Sequence, residues 1–199
     1  MYTDFPYKTQ PYKHQHDCWQ LSRDIEAYAY FMEMGCICGD AEIVLGNSTN
    51  LTLEEFYNQC KTGIITSAQT KSFNNGKLVF NEVLGVFESG VRETLSITTF
   101  LGYTLKLTPD HEVLTPGKGW VASCSLHVGD QVLVVKKSMI VGDKITQIEG
   151  SGMQMTYDVS MSSPLNSFVA SGIIVHNCGK SKVLIDTAAH QYLNDKIKA

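Results

Sequence analysis

Through the middle of the chain, apolar and polar positions alternate in short runs. Leu78-Val-Phe80, Glu82 to Phe87, Leu95 to Phe100, Tyr103 to Leu107, Gln131 to Val135 and Ile173 to Val175 are rich in β-branched and aromatic residues. Each run is too short for a stable helix and is bounded by turn formers, so each predicts a strand. Asn75-Gly76 is a hairpin signal, because both residue types tolerate positive φ. Gly117-Lys-Gly119 and Val141-Gly-Asp143 punctuate later turns. Thr52-Leu-Glu-Glu55 departs from this pattern: a hydroxyl followed three positions on by a carboxylate is a capping box, and it predicts a short helix through Cys60. Many short strands broken by turns predict a mainly β chain with a closed or folded-over sheet, not an α/β domain.

The two ends read differently. Residues 1 to 35 carry a helix end at Trp19 to Ile25 and a short strand at Ala27-Tyr-Ala-Tyr-Phe31. Residues 178 to 199 predict one helix, with Val183, Ala188, Tyr192 and Ile197 at near-helical spacing and Gly179 near its start. The chain therefore divides into segments 1–35, 36–177 and 178–199.

Composition narrows the classes of function. With 199 residues, 43 % apolar and 18 % charged, the chain is long enough to bury a real core. A net charge of -4 gives no basic field for nucleic acid. No run approaches the ~18 apolar residues that span a bilayer. The beginning Met1-Tyr-Thr-Asp-Phe-Pro lacks the pattern of a signal peptide. Six irregularly spaced cysteines then read as reduced thiols. These features lead to the expectation of a cytoplasmic monomer without membrane contact.

The apolar run Gly172-Ile-Ile-Val175 ends in His176-Asn177-Cys178, and Cys36 lies 142 positions before Cys178. An asparagine amide can attack its own backbone carbonyl and cut the chain. A histidine before it can move the proton, and a cysteine after it can carry an acyl group. Further pieces stand between: Cys36-Ile-Cys-Gly-Asp40, Leu107-Thr108-Pro-Asp-His111-Glu-Val-Leu114, Leu126-His-Val-Gly-Asp-Gln-Val-Leu-Val134, Thr156-Tyr-Asp158-Val-Ser-Met161 and Asn166-Ser-Phe-Val-Ala170. In order and spacing they resemble the splicing motifs of inteins, which share the Hint fold with hedgehog autoprocessing domains.

The resemblance covers residues 36 to 177 and implies a horseshoe-like, all-β Hint domain with a short helix. It implies autocatalytic, single-turnover splicing that needs no cofactor and no partner. Cys36 forms a thioester with Gly35, Cys178 receives the acyl group, and Asn177 cyclises with help from His176. Thr108 and His111 match the Thr-x-x-His motif that serves the first step, and Asp158 the position that couples the steps. Only about 20 residues lie between the Val-Val-Lys-Lys137 run and Thr156. That leaves no room for a homing endonuclease, so the likeness is to a mini-intein. Many inteins have a histidine shortly before Phe-Val-Ala; here Asn166 and Ser167 stand there, which shifts the last step onto His176 or water. Cys38 has no role in this chemistry. Cys60, Cys124 and His127 have no metal-ligand spacing and read as structural, and no metal is expected.

Joining the flanks places Gly35 before Cys178-Gly-Lys180-Ser181. This resembles the phosphate loop of superfamily 2 helicases, in particular the SNF2-like group. By that resemblance Lys180 reaches the phosphates, Ser181 ligates Mg²⁺, and Gln15 in Pro11-Tyr-Lys-His-Gln15 contacts adenine. ATP and Mg²⁺ are then expected only for the spliced host, and DNA only through that host. Two alternatives stay open: a Hint domain that cleaves itself without ligation, and a non-catalytic module that binds a nucleotide as the intact chain.

Overall fold

The computed structural model describes residues 36–177. The expected helix end at Trp19 to Ile25, the strand at Ala27 to Phe31 and the helix over 178–199 lie outside the described residues. In chain order the elements are β1 (Ile37–Cys38), β2 (Glu42–Val44), β3 (Asn50–Thr52), α1 (Leu53–Lys61), β4 (Ala68–Asn74) and β5 (Lys77–Thr99). They continue with β6 (Thr104–Leu107), β7 (Glu112–Thr115), β8 (Gly119–Ala122), a 3-10 turn (Ser123–Ser125) and β9 (Gln131–Lys136). The last are β10 (Met139–Met161), β11 (Ser167–Ala170) and β12 (Ile173–His176). Ten strands form one sheet in the order β4-β5-β6-β1-β10-β9-β12-β7-β8, with β11 on β12, and β2 and β3 form a small separate pair.

Two 23-residue strands organise this sheet. β5 and β10 pair antiparallel from Ile145↔Thr99 to Met161↔Val83. β5 also pairs with β4 at its start and β6 at its end, while β10 begins as the partner of β9. Each long strand thus belongs to two neighbourhoods, and the sheet folds over along them. The pairing survives because register shifts after Ile145, Gly150, Thr156 and Ser160 absorb the bending and twist. The runs at 78–80, 82–87 and 95–100, expected as separate strands, are one strand for this reason. Gly85 and Gly90 both remain paired with β10.

Val141-Gly-Asp143 was expected to be a turn and is not. It lies in β10 opposite Val134, Leu133 and Val132. The chain reverses earlier, at Lys137 and Ser138, which both take positive φ without being glycine. Gly142 stays extended, with the Gln131 side chain 3.2 Å from where a Cβ would stand. The Asn75-Gly76 turn is as expected: Asn74 pairs with Lys77, and φ is 45° and 81° at the two turn residues.

α1 begins as its sequence predicts. The Glu55 N–H donates to Thr52 Oγ1 at 3.2 Å, and the Thr52 N–H donates to the Glu55 carboxylate at 2.9 Å. Leu53 and Phe56 are fully buried, against a core shared with Ile37, Ile43 and Tyr157. Burying a side chain of this size stabilises the fold by about 2 kcal/mol. The helix therefore braces the sheet beneath β1.

The turn from β11 to β12 has no slack. Ser171 and Gly172 have φ of 46° and 80°, and a Cβ on Gly172 would stand 2.5 Å from ring carbons of Tyr103. That ring is held by its hydroxyl, which donates to the Val135 carbonyl at 3.1 Å. Gly76 shares the positive φ, but a Cβ there would meet nothing within 4 Å. Gly172→Ala should therefore destabilise by about 3 kcal/mol, from backbone strain and overpacking together, and Gly76→Ala by only about 1 kcal/mol. Thermal or urea unfolding of the two variants checks the order.

Candidate functional site

Cys36 immediately precedes β1, a strand of only two residues held between two neighbours. Ile37 pairs with Tyr157 on β10 and with Leu107 on β6. The next residues along those neighbours are Asp158 and Thr108, so the three come together at one sheet position. The Cys36 N–H donates to Thr108 Oγ1 at 2.8 Å, and the Thr108 N–H donates to the Cys36 carbonyl at 2.9 Å. The Thr108 hydroxyl in turn lies 3.3 Å from that carbonyl. This N–H belongs to the Gly35–Cys36 peptide; Gly35 itself lies outside the described residues.

The segment after Thr108 turns tightly. The His111 N–H donates to the Thr108 carbonyl at 3.0 Å. Ser123, fully buried, clamps the turn: its hydroxyl donates to the carbonyls of Thr108 and Pro109, and its N–H to that of His111. Thr108, His111 and Asp158 are all buried.

Burial pushes the Cys36 thiol above its usual range, the reverse of the depressed value that would favour a resting thiolate. A hydrogen bond from the Ser89 side chain opposes this, Asp158 adds to it, and Arg92 and the Thr156 hydroxyl pull it back down. Ser89 and Arg92 carry no motif and were missed in the sequence. Ser89 sits in the β5 bulge, since Glu88 pairs with Tyr157 while Gly90 pairs with Thr156. Ser89-Gly90 inside a β-rich run is the signal that could have found it, as small residues mark bulges. Arg92 Nε donates to the Ser89 carbonyl at 3.3 Å.

The last described residues lie on and just after β12. Val175 pairs with Val113 on β7, and Ser167 on β11 pairs with His176. Continuing the β7 register by one and two residues sets Glu112 across from His176 and His111 across from Asn177. The Nδ1 of His176 lies 3.6 Å from Glu112 Oε2, and the edge of its ring meets Trp120 with centroids 4.9 Å apart. Asn177 is buried, and its N–H donates to the Asn166 carbonyl at 2.9 Å. The segment 108–113 thus touches Cys36 at one end and β12 at the other. Cys178, Lys180, Ser181 and Gln15 lie outside the described residues.

Other cysteines stand apart from this cluster. Cys38 is buried and its thiol is pushed up to about 11, by burial first, with a Thr94 hydrogen bond opposing. Cys60 packs half-buried against the core. Cys124 and His127, expected to be structural, expose their side chains; the Cys124 N–H donates to the Pro109 carbonyl, and the His127 N–H donates to the Asp130 carboxylate, which also lies 3.8 Å from His127 Nδ1. No described helix is long and apolar enough to cross a membrane.

Comparison with known proteins agrees with this architecture. The structure is similar to the DnaB intein from Synechocystis sp. PCC 6803, with a TM-score of 0.65 and 28 % identity over 72 % of this chain and 98 % of that one. A mini-intein variant, Ssp DnaB M86, also gives 0.65, at 27 % identity over 74 % of this chain and 97 % of that one. The DnaX mini intein from Spirulina platensis gives 0.59, at 26 % identity over 71 % and 99 %. In sequence, the replicative DNA helicase DnaB of Rhodothermus marinus is 26 % identical over 127 residues. That match spans 59 % of this chain and 13 % of the helicase. No family model matches the chain. The described residues have the mainly β Hint fold of inteins.

The environment of the thiols sets an order of ionisation that ultraviolet thiolate absorbance can read in an Asn177→Ala chain. Cys36 should titrate above 9.0, the ordinary thiol value, and Cys38 near 11. Since the Ser89 bond lowers the Cys36 value, Ser89→Ala should move that midpoint further up, with Cys36→Ala identifying the signal.

Proposed function

We propose that this chain excises residues 36–177 from itself and joins Gly35 to Cys178 by a peptide bond. One observation carries the reading. The N–H of the peptide to be broken rests on Thr108 Oγ1 at 2.8 Å, in a turn that runs on to the strand beside His176 and Asn177. The likeness to inteins over 98 % of the Synechocystis domain supports it.

The steps follow from the groups present. The Cys36 sulfur attacks the Gly35 carbonyl carbon, the C–N bond breaks, and the thiol proton ends on the Cys36 nitrogen. Thr108 holds that nitrogen throughout, and His111, at the end of the same turn, supplies the proton to it. Asp158, which acts on the Cys36 thiol, takes the proton that the sulfur gives up and passes it on to replace the one His111 has given, so both groups end as they began and the net transfer is from sulfur to nitrogen. The Cys178 thiol then exchanges with the Cys36 thioester. The Asn177 side-chain nitrogen attacks its own carbonyl carbon, closing a succinimide and releasing the Cys178 nitrogen as an amine. That amine attacks the adjacent thioester, and the amide forms because the reactants are already side by side. The reaction occurs in cis, within one chain, once per molecule.

The neutral resting thiol fits this use. A thiol held as thiolate would be open to oxidation and to premature attack, whereas a proton is lost here only as the bond forms. The structure around Asn166 favours a slow last step, with N-terminal cleavage as a side reaction. The Ser167 hydroxyl accepts the Phe73 N–H at 3.0 Å and turns its own proton to the Phe73 carbonyl at 3.4 Å, so it offers no proton relay to Asn177.

For the flanks we propose a fragment of an ATP-dependent helicase whose phosphate loop is interrupted by residues 36–177. Lys180, Ser181 and Gln15 take up ATP and Mg²⁺ only after ligation, in the full host. The name of the Rhodothermus relative supports a helicase host, while the joined Gly35-Cys178-Gly-Lys-Ser181 has the short superfamily 2 form.

Intact mass spectrometry of the chain kept under reducing conditions tests the reading. A 142-residue product and a ligated 57-residue product are expected, both absent when Cys36→Ala and Asn177→Ala are combined. Fragments with no ligated product would leave a self-cleaving domain, and a permanently uncut chain would overturn autoprocessing. Thr108→Val removes the hydroxyl while keeping the shape. It should slow thiol-induced N-terminal cleavage in an Asn177→Ala chain by about 100-fold.

A further inference from the structure

We propose that Glu112 is a positioning residue for His176: its carboxylate holds the imidazole protonated and in one orientation beside Asn177, so that cyclisation proceeds without a second histidine. This rests on the splicing reading and adds to it a residue that no motif marks.

The pairing is imposed by backbone. With Val113 opposite Val175, Glu112 and His176 are cross-strand neighbours, and the carboxylate stands 3.6 Å from Nδ1. Opposite charges so placed on a sheet attract, the more so where water is partly excluded. The His176 side chain is only 19 % exposed and that of Glu112 44 %, so solvent weakens the attraction without abolishing it. Trp120, which pairs with the neighbouring Leu114 on β7, sets its ring edge-on to the imidazole at 67° and limits its rotation.

Other charges do not take this place. Among the described residues, the turn before β7 brings Asp110 and His111. β8 and β11 carry no ionisable side chain. Lys136 on β9 lies at the far end of β12, where Val135 bonds the Gly172 carbonyl, and Lys118 is paired with Asp130 at 3.2 Å. Asn166 and Ser167, at the position where many inteins carry a histidine, are not ionisable and are bonded into the backbone. His176, adjoining Asn177 and paired with Glu112, then supplies the proton for the Cys178 nitrogen. As the Asn177 side-chain nitrogen forms its bond to the carbonyl carbon, it gives up one proton. The departing Cys178 nitrogen gains one from the imidazolium, and the first restores the ring. No proton is consumed overall, and the Glu112 charge keeps the ring supplied at neutral pH.

The test isolates the last step by using the full chain with Cys36→Ala, and follows release of residues 178–199 by mass across pH. Adding Glu112→Gln should slow release at neutral pH by about tenfold and move the falling limb of the profile to lower pH, with Glu112→Asp recovering part of the rate. In an uncut Cys36→Ala, Asn177→Ala chain, the His176 ring-proton shift in NMR should titrate at lower pH once Glu112→Gln is added. Thiol-induced N-terminal cleavage in Asn177→Ala should be unaffected by Glu112→Gln, which shows that the fold is intact. A pH profile and a ring titration both indifferent to Glu112→Gln, in a chain that still releases the segment, would overturn the role of Glu112 alone. Failure of Cys36→Ala to release it at any pH would overturn the splicing reading and this inference with it.

Discussion

Cys36 is fixed to the sheet by Thr108. One hydroxyl accepts the Cys36 N–H and faces the Cys36 carbonyl, and the Thr108 N–H binds that carbonyl as well. A two-residue strand has little pairing of its own, so these contacts decide how Cys36 is held. They also fix the turn to His111, because Ser123 closes it from below. Everything at the opposite junction follows from the strand that this turn begins. β7 meets β12 at Val113 and Val175 and thereby presents Glu112 to His176.

The long strands β5 and β10 supply the frame on which this can happen. β10 runs between β1 and β5, so Asp158 and Thr156 face the thiol from the middle of the sheet, while Ser89 reaches it through a bulge. A straight ladder would have turned alternate residues away from Cys36. The irregularities that disturb pairing are what admit both Ser89 and Thr156 to one sulfur. The cost is a region where polar groups are buried, and it is met by hydrogen bonds such as Thr156 Oγ1 to the Gly90 carbonyl at 2.8 Å.

Much of this was legible in the sequence, where chemistry and local rules agree. The helix start at Thr52 and the Asn75-Gly76 turn depend on neighbouring residues only, and both form as read. Cys36, Thr108 and Asp158 meet at one sheet position because each lies in or beside a strand with a strong β pattern, and His111 ends the turn that Thr108 begins. The misreadings have a common origin in pairing over distance. The runs at 82–87 and 95–100 looked separate because nothing local reveals that β10 lies alongside both. Gly142 looked like a turn, although Gln131 and the β9 ladder hold it extended. Glu112 was only a letter in the Thr108 motif until β12 supplied its partner. Ser89 stayed hidden because a bulge belongs to two strands at once.

The last described residues are among the most firmly packed. Ile173, Ile174 and Val175 are fully buried, β12 is paired along its length with β11, and Asn177 is tied to Asn166. Breaking the chain after Asn177 removes none of these contacts. In the proposed reaction the departing domain is thus as compact afterwards as before, and no unfolding accompanies the cut.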